Sequence, residues 1–199
     1  MNNYLTQVFK NTAKLSKLVY HIGELEELRK PSNEVKIELI KTLEIKKVIT
    51  DLKATLKKYR KLSGKGRGIA AIQRGIPLKI AVVYSFEKVI TIINPKIIKT
   101  SAENYLYPEI CMSANPIIAP LKRPGWIEFE YLDEDGIKQK WNKKDSTKET
   151  KILNRVFQHE IDHMEGIINI DKVSSKTLIF ESDPEFYEKA KFEEVKINK

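Results

Sequence analysis

Two histidines four residues apart, with a glutamate directly behind the first, set the strongest constraint on this chain. His159-Glu160-Ile161-Asp162-His163 is an H-E-x-x-H pattern. The stretch around it, Lys148 to Glu165, has helical spacing, with Ile152, Val156, Phe157 and Ile161 suited to a buried face, Asp145-Ser146 as a cap and Gly166 as a stop. On a helix, residues i and i+4 project from one face one turn apart, so both imidazoles can grip a single metal ion. Glu160 then lies where a carboxylate can take a proton from water and hand it to a leaving amine. Two of the three histidines fall in this motif, which makes ordinary surface or core roles a poor account of them.

A catalytic metal usually takes a third protein ligand. A histidine six residues after His163 would make a metzincin, but that position is Asn169. A later glutamate, Glu181 or Glu185, would make a gluzincin-like peptidase. Cys111 is the third candidate: as a thiolate it is a strong soft ligand, and Pro108-Glu109-Ile110-Cys111-Met112-Ser113 lies between strands rather than in an apolar run. It is also the only cysteine, so no internal disulfide can form.

The rest of the chain is compatible with a hydrolase of one domain spanning 1–199. At 199 residues a single core can bury about 70% of the unfolded surface. The segment from Asn33 to Leu62 carries Val35, Leu39, Leu43, Val48, Leu52, Leu56 and Tyr59 at helical spacing, so one long helix or two joined ones are expected, capped by Asn33. Residues 1–20 show a weaker helical pattern within an N-terminal extension, 1–27, and the tail 183–199 is highly charged and reads as a short fraying helix. Gly64, Gly66 and Gly68 break the long helix into a loop. Short β-branched or aromatic runs follow, at Lys79–Tyr84, Val89–Ile93, Lys96–Thr100, Trp126–Tyr131 and Ile137–Trp141, the last two joined by an Asp135-Gly136 turn. The fold class is therefore α+β, with antiparallel strands packed around the helix that bears the histidines and a long helical region before them.

No run approaches the roughly 20 apolar residues that cross a bilayer, and Lys10, Lys14 and Lys17 interrupt any signal-peptide core, which places the chain in the cytoplasm. A net charge of +9 favours acidic partners, although solubility explains it equally well.

The glycine loop reads Gly66-Arg67-Gly68-Ile69-Ala70-Ala71-Ile72-Gln73, so three motifs stand in order: glycine loop, cysteine turn, histidine helix. This order resembles the peptide deformylase family, whose motifs are G-x-G-x-A-A-x-Q, E-G-C-x-S and Q-H-E-x-D-H. The first is matched at every fixed position, the third is complete from Gln158 to His163, and the second is matched except at Ile110. Leu28-Arg29, Asn94-Pro95 and the Arg123 segment extend the resemblance over roughly Leu28 to Lys172.

The resemblance implies that Cys111, His159 and His163 hold one divalent ion with water as fourth ligand, Fe²⁺ being native and Zn²⁺, Ni²⁺ or Co²⁺ able to replace it. It implies hydrolysis of the formyl group from the N-terminal formyl-methionine of nascent polypeptides, with Glu160 moving the proton and with the Gln73 amide and the Met112 backbone N–H holding the oxyanion. It further implies that the substrate main chain pairs beside Gly68, within reach of Gly66 and Arg67, and that Met112 and Val156 line an apolar pocket for the methionine. Arg123 is the partner it offers Asp162. Contact with the ribosome through the basic surface is expected, and neither a membrane nor DNA.

Ile110, where the family has glycine, restricts φ and takes up space near the substrate, and Arg67 brings a cation to the cleft that would favour acidic residues downstream of the formyl-methionine. Two rivals stand beside this reading. A gluzincin-like peptidase would keep metal and activity in Cys111→Ala. A deformylase-like binding protein would release no formate from any formyl-methionyl peptide.

Overall fold

The computed structural model describes residues 3–180 and 195–197. Helix α1 (Asn3–Leu15) is followed by the single turn α2 (Leu25–Leu28) and by the long α3 (Leu43–Ser63). Nine strands follow among the described residues: β1 (Gly68–Ala70), β2 (Ile80–Tyr84), β3 (Val89–Thr100), β4 (Asn104–Ile110), β5 (Ile117–Pro124), β6 (Ile127–Leu132), β7 (Lys138–Trp141) and, beyond helix α4 (Lys148–Met164), β8 (Ile179–Phe180) and β9 (Val195–Ile197). They form two antiparallel sheets, one in the order β1-β2-β3-β6-β7 and one in the order β8-β5-β4-β9. The arrangement is α+β with antiparallel sheets, as the sequence pattern requires.

Helix α3 begins nine residues later than a cap at Asn33 would place it. Thr42 caps it, its hydroxyl accepting from the Ile45 N–H. Asn33 instead sits in a bridge to Leu78, and Ile37–Leu39 is a 3-10 turn. The reason lies in Asn94, whose amide donates to the Val35 carbonyl and whose side-chain oxygen accepts from the Val35 N–H, holding that segment extended. Asn94 adopts φ +49°, in the left-handed region that asparagine tolerates, where β3 shifts register between Ile93 and Lys96 against β6. The two runs expected as separate strands, Val89–Ile93 and Lys96–Thr100, are thus one bulged strand.

Helix α4 is capped by Thr147, one residue after the expected Ser146, its hydroxyl accepting from the Thr150 N–H. It ends in a Schellman motif: the Gly166 N–H donates to the His163 carbonyl and the Ile167 N–H to the Asp162 carbonyl. Gly166 has φ +73°, and a Cβ there would lie 2.3 Å from the Arg29 carbonyl oxygen, so no other residue fits.

Two buried clusters position the site. The face of α3 bearing Ile45, Ile49, Leu52, Leu56 and Tyr59 packs with Ile69, Ile80, Val82 and Ile93 of the first sheet, and Leu15 and Val19 from the N-terminal segment join them. On the other side, Leu153, Phe157 and Ile161 of α4 pack on Val83, Ile92, Ile127, Phe129 and Trp141. The Phe157 ring lies 5.0 Å from Phe129 and 4.7 Å from Trp141, centroid to centroid. Burying this face of α4 turns its opposite face, with His159 and His163, toward the turn between β4 and β5.

Of the charged tail, 195–197 forms β9 against β4. The remainder of 183–199, like Glu181 and Glu185, lies outside the described residues. Among the described residues no helix is long and apolar enough to cross a membrane.

Candidate metal centre and active site

Cys111 stands in the turn directly after β4, buried, with His159 and His163 facing it from α4. Its Sγ is 3.3 Å from His163 Nε2, which is 3.2 Å from His159 Nε2, and one ligand atom from each residue lies within 4.8 Å of the others. Metal–nitrogen and metal–sulfur bonds of about 2.0–2.3 Å put neighbouring donors of a tetrahedral set about 3.3–3.6 Å apart. The two pairs that include His163 are therefore already at ligand spacing, with Cys111 and His159 within 4.8 Å of each other, and the soft thiolate with two imidazoles suits a first-row divalent ion.

Electrostatics point the same way. Burial works to lower the pKa of His159, but the Glu109 carboxylate and the Cys111 sulfur beside it raise it well above the usual histidine range. The carboxylate and sulfur that favour positive charge on this ring would equally favour a bound cation. Burial, together with the His159 charge, holds His163 well below that range, in the neutral form a ligand needs. The donor set fits a metal ion.

Glu109 organises this centre, and sequence reasoning assigned it no role. Its Oε1 accepts from His159 Nδ1 at 2.5 Å and from Arg123 Nη2 at 2.9 Å, and its Oε2 accepts from Arg123 Nε at 2.6 Å. Burial alone would raise the Glu109 carboxyl, but His159 and Arg123 hold it well below the usual carboxylate range. Fixing Nδ1 leaves Nε2 of His159 for the centre, the arrangement by which outer carboxylates orient metal-binding histidines. A signal was present: Glu109 precedes Cys111 by two, the same-face spacing of an extended chain. Asn169 supports the strand end by donating to the Glu109 carbonyl at 3.1 Å.

Arg123 and Asp162 are brought together. Arg123 Nη1 donates to Asp162 Oδ2 at 2.8 Å, and Lys172 donates to both Asp162 oxygens at 2.7 Å. Asp162 is partly exposed rather than buried, with its side chain at 16%.

Gln73 is buried below β1, where its Oε1 accepts from the Ala70 N–H at 2.9 Å. That fixes its Nε2 toward Ser113 Oγ (3.0 Å) and Cys111 Sγ (3.9 Å). The N-terminal segment braces both turns from behind: the Tyr20 N–H donates to the Gln73 carbonyl, and His21 Nε2 lies 2.6 Å from the Asn115 carbonyl.

Glu160 faces the other side of the centre, against β1. A Cβ on Gly68 would lie 2.3 Å from Glu160 Oε1, so glycine is required by close approach and not by φ. Burial raises the Glu160 carboxyl to about 7, and its Oε2 is buried with no hydrogen-bond partner among the described residues. A carboxyl poised near neutrality, with one oxygen unpaired, can both accept and donate a proton.

Gln73, Glu109, His159 and Glu160 border a cleft of about 360 Å³ whose lining also includes Gly66, Arg67, Gly68, Met112, Ile110 and Val156. Ile110 closes β4 opposite Ile118, outside the left-handed region. Its branched side chain therefore narrows the cleft without backbone strain. Arg67 lies over the Phe86 ring at 3.9 Å. Arg155 and Tyr107, in the same wall, carried no sequence signal of their own.

The polypeptide deformylase family profile matches residues 17–178. A peptide deformylase of Dictyoglomus thermophilum is 33% identical over 159 residues, 79% of this chain and 96% of that protein. A peptide deformylase of Rhizobium meliloti is 34% identical over 114 residues, 55% of this chain but only 62% of that protein's length. Among solved structures, a peptide deformylase of Synechococcus elongatus in complex with actinonin superposes with a TM-score of 0.67 at 28% identity, covering 79% of each chain. With the fold, the ordered motifs and the family profile in agreement over most of its length, the chain belongs to the polypeptide deformylase family.

Proposed function

We propose that the protein hydrolyses the N-formyl group from the N-terminal formyl-methionine of nascent polypeptides, releasing formate. The observation that carries this reading is the convergence of Cys111, His159 and His163 beside the unpaired, near-neutral carboxyl of Glu160, at the floor of a cleft that His159 and Glu160 line. Family membership supplies the substrate class.

The family is metal-dependent and the triad offers the ligands; Fe²⁺ is the ion we assign natively, with Zn²⁺, Ni²⁺ or Co²⁺ as replacements. A divalent ion held by these residues would acidify water and polarise the formyl carbonyl. Every other role belongs to the chain. Glu160 accepts the proton of the attacking water at Oε2 and returns it to the amine nitrogen as the C–N bond breaks, a task that favours a carboxyl held near pH 7. Gln73, locked through Oε1, offers its Nε2–H to the oxyanion, and Met112 offers its backbone N–H. Because the Gln73 amide is already oriented, it pays little reorganisation during reaction.

The substrate main chain lies along Gly68, where the absence of a Cβ permits approach to Glu160. Met112 and Val156 line the apolar side of the cleft and receive the methionine side chain. The net charge of +9 suits contact with ribosomal RNA at the site of peptide emergence. The test is formate release from formyl-Met-Ala-Ser by anaerobically prepared protein loaded with Fe²⁺ or Ni²⁺, with Glu160→Ala as control. Formate from the wild type alone supports the assignment; none despite one tightly bound metal per chain refutes it.

A further inference from the structure

None of the three motifs includes the segment 18–25, yet it is tied to both turns that carry the proposed oxyanion donors. Arg74 Nη1 donates to the Leu18 carbonyl at 2.6 Å, and the Tyr20 N–H donates to the Gln73 carbonyl at 2.7 Å. The next residue, His21, is extended, at φ −115° and ψ 177°, and its Nε2 lies 2.6 Å from the Asn115 carbonyl oxygen. A carbonyl oxygen only accepts, so this nitrogen carries the proton and donates. The His21 N–H donates in turn to Glu24 Oε2 at 2.7 Å, which fixes the backbone from which the ring reaches.

The segment is docked closely on both sides. A Cβ on Gly75, two residues after Gln73, would lie 2.5 Å from Tyr20 Oη. Tyr20, Ile22 and Leu25 also pack against the buried cluster that contains Leu28, Cys111 and Ala114.

These contacts close a ring. It runs from the Gln73 carbonyl to Tyr20, along one peptide to His21, across to Asn115, back through Ala114 to Ser113, and from Ser113 Oγ to Gln73 Nε2 at 3.0 Å. The Gln73 amide has two N–H groups, so one is held by Ser113 and the other is left for the oxyanion. Ser113 directly follows Met112, whose backbone N–H is the second proposed donor. Both donors therefore sit on one side of the ring, and His21 holds the opposite side. Within the cysteine turn, the Ala114 N–H reaches the Cys111 carbonyl at 3.2 Å, at the long end of the usual range, whereas the His21 bond is short.

We infer that His21 is a positioning residue for deformylation, its bond to the Asn115 carbonyl setting the separation of the Gln73 and Met112 donors. This rests on the deformylase reading above. Donors aimed at the oxyanion act where charge develops in the transition state, so loosening them lowers kcat and leaves KM nearly unchanged.

The test uses three variants. The amide nitrogen of His21→Gln stands as many bonds from Cβ as Nε2 does, that of His21→Asn is one bond short, and His21→Leu has no donor. Kinetics on formyl-Met-Ala-Ser use metal-loaded full-length protein, and amide hydrogen exchange is followed on each metal-free protein. We expect His21→Leu and His21→Asn to lose about tenfold in kcat with KM within about twofold, short of the roughly 10²–10³-fold that follows deletion of an oxyanion donor. His21→Gln should restore kcat. Beside Gln73→Ala, which already lacks one donor, the His21→Leu penalty should shrink to about threefold, since residues acting in one network are not additive. Exchange at 112–115 should quicken in His21→Leu, be restored in His21→Gln and stay unchanged in α4. Should His21→Leu not fold, the asparagine and glutamine variants carry the comparison. Wild-type kcat in His21→Leu and His21→Asn, an equal loss in His21→Gln, or an undiminished penalty beside Gln73→Ala each overturn the inference and leave deformylation standing. If the wild type itself releases no formate, deformylation is refuted and the role of His21 in it falls too.

Discussion

Replacing Glu109 by glutamine tests whether the outer carboxylate governs the metal centre. Glutamine keeps the shape but supplies one acceptor where Glu109 supplies two. If its oxygen takes the Oε1 position, it still receives His159 Nδ1–H and Arg123 Nη2–H, but its amide then faces the Arg123 Nε–H, donor against donor. If it flips, His159 loses its partner. Removing one member of a buried ion pair costs about 3–5 kcal/mol. The lower end applies because Arg123 retains Asp162 at 2.8 Å, so we expect the apoprotein to lose about 3 kcal/mol in urea unfolding. Loss of an outer partner typically weakens metal binding by about 10–100-fold, which chelator competition would read. The pH dependence has a definite sign. The folded Glu109 pKa lies below its ordinary value of 4.5, so its stabilisation is complete above that value and is lost as pH falls below it toward the folded pKa. Glu109→Gln should remove that acid sensitivity. Unchanged stability within about 0.5 kcal/mol and unchanged metal affinity within about twofold would refute the reasoning, since surface substitutions alone produce shifts that small.

The Gly68→Ala substitution puts a methyl 2.3 Å from Glu160 Oε1, and a displacement of about 1 Å at a reacting group costs about a hundredfold, so formate release should drop by that factor while circular dichroism stays native. Glu160→Gln should stabilise the metal-free protein at alkaline pH: burial raises the folded carboxyl from 4.5 to about 7, so ionisation costs nothing below 4.5 and up to roughly 3 kcal/mol above 7. Urea unfolding at pH 4 and pH 8 checks this, wild type and variant converging at the acid end. Phe157→Ala, on the buried face of α4, should cost about 3–5 kcal/mol by leaving a cavity between Phe129 and Trp141. Thermal unfolding reads that loss; the spacing of His159 and His163 on the opposite face should leave metal stoichiometry at one.

What the sequence made legible is what period and motif encode locally. Helix α4 was readable because its apolar spacing, its stop at Gly166 and the histidine pair all fall within one segment. The hairpin of β6 and β7 was readable from Asp135-Gly136, where Gly136 takes φ +73°. Strands β4 and β5 were not. Their stretches, Asn104–Ile110 and Ile117–Pro124, contain three prolines and lack clean alternation, since both pair with strands on either side and enclose the cysteine turn. The start of α3 was misplaced because Asn94, about sixty residues away, decides the conformation at Val35, and no local pattern carries that information.

The same division explains the site. His159, Glu160 and His163 are exposed by their spacing alone, whereas Cys111 stands as one candidate beside Glu181 and Glu185 until the order of the three motifs points to the family. Glu109 and Arg155 are charged residues in a chain that is 32% charged, and only burial separates them from the solvated majority. Glu109 lies at the centre of a connected path from Arg123 to His159, with Asp162 and Lys172 continuing it on the far side of Arg123. That path returns to α4 at Asp162, three residues beyond His159, so the helix carrying the metal ligands is tied to β5 by the same guanidinium that anchors their outer carboxylate. A shift of α4 along its axis would have to break both ends of this link, which couples the placement of His159 to the register of the second sheet.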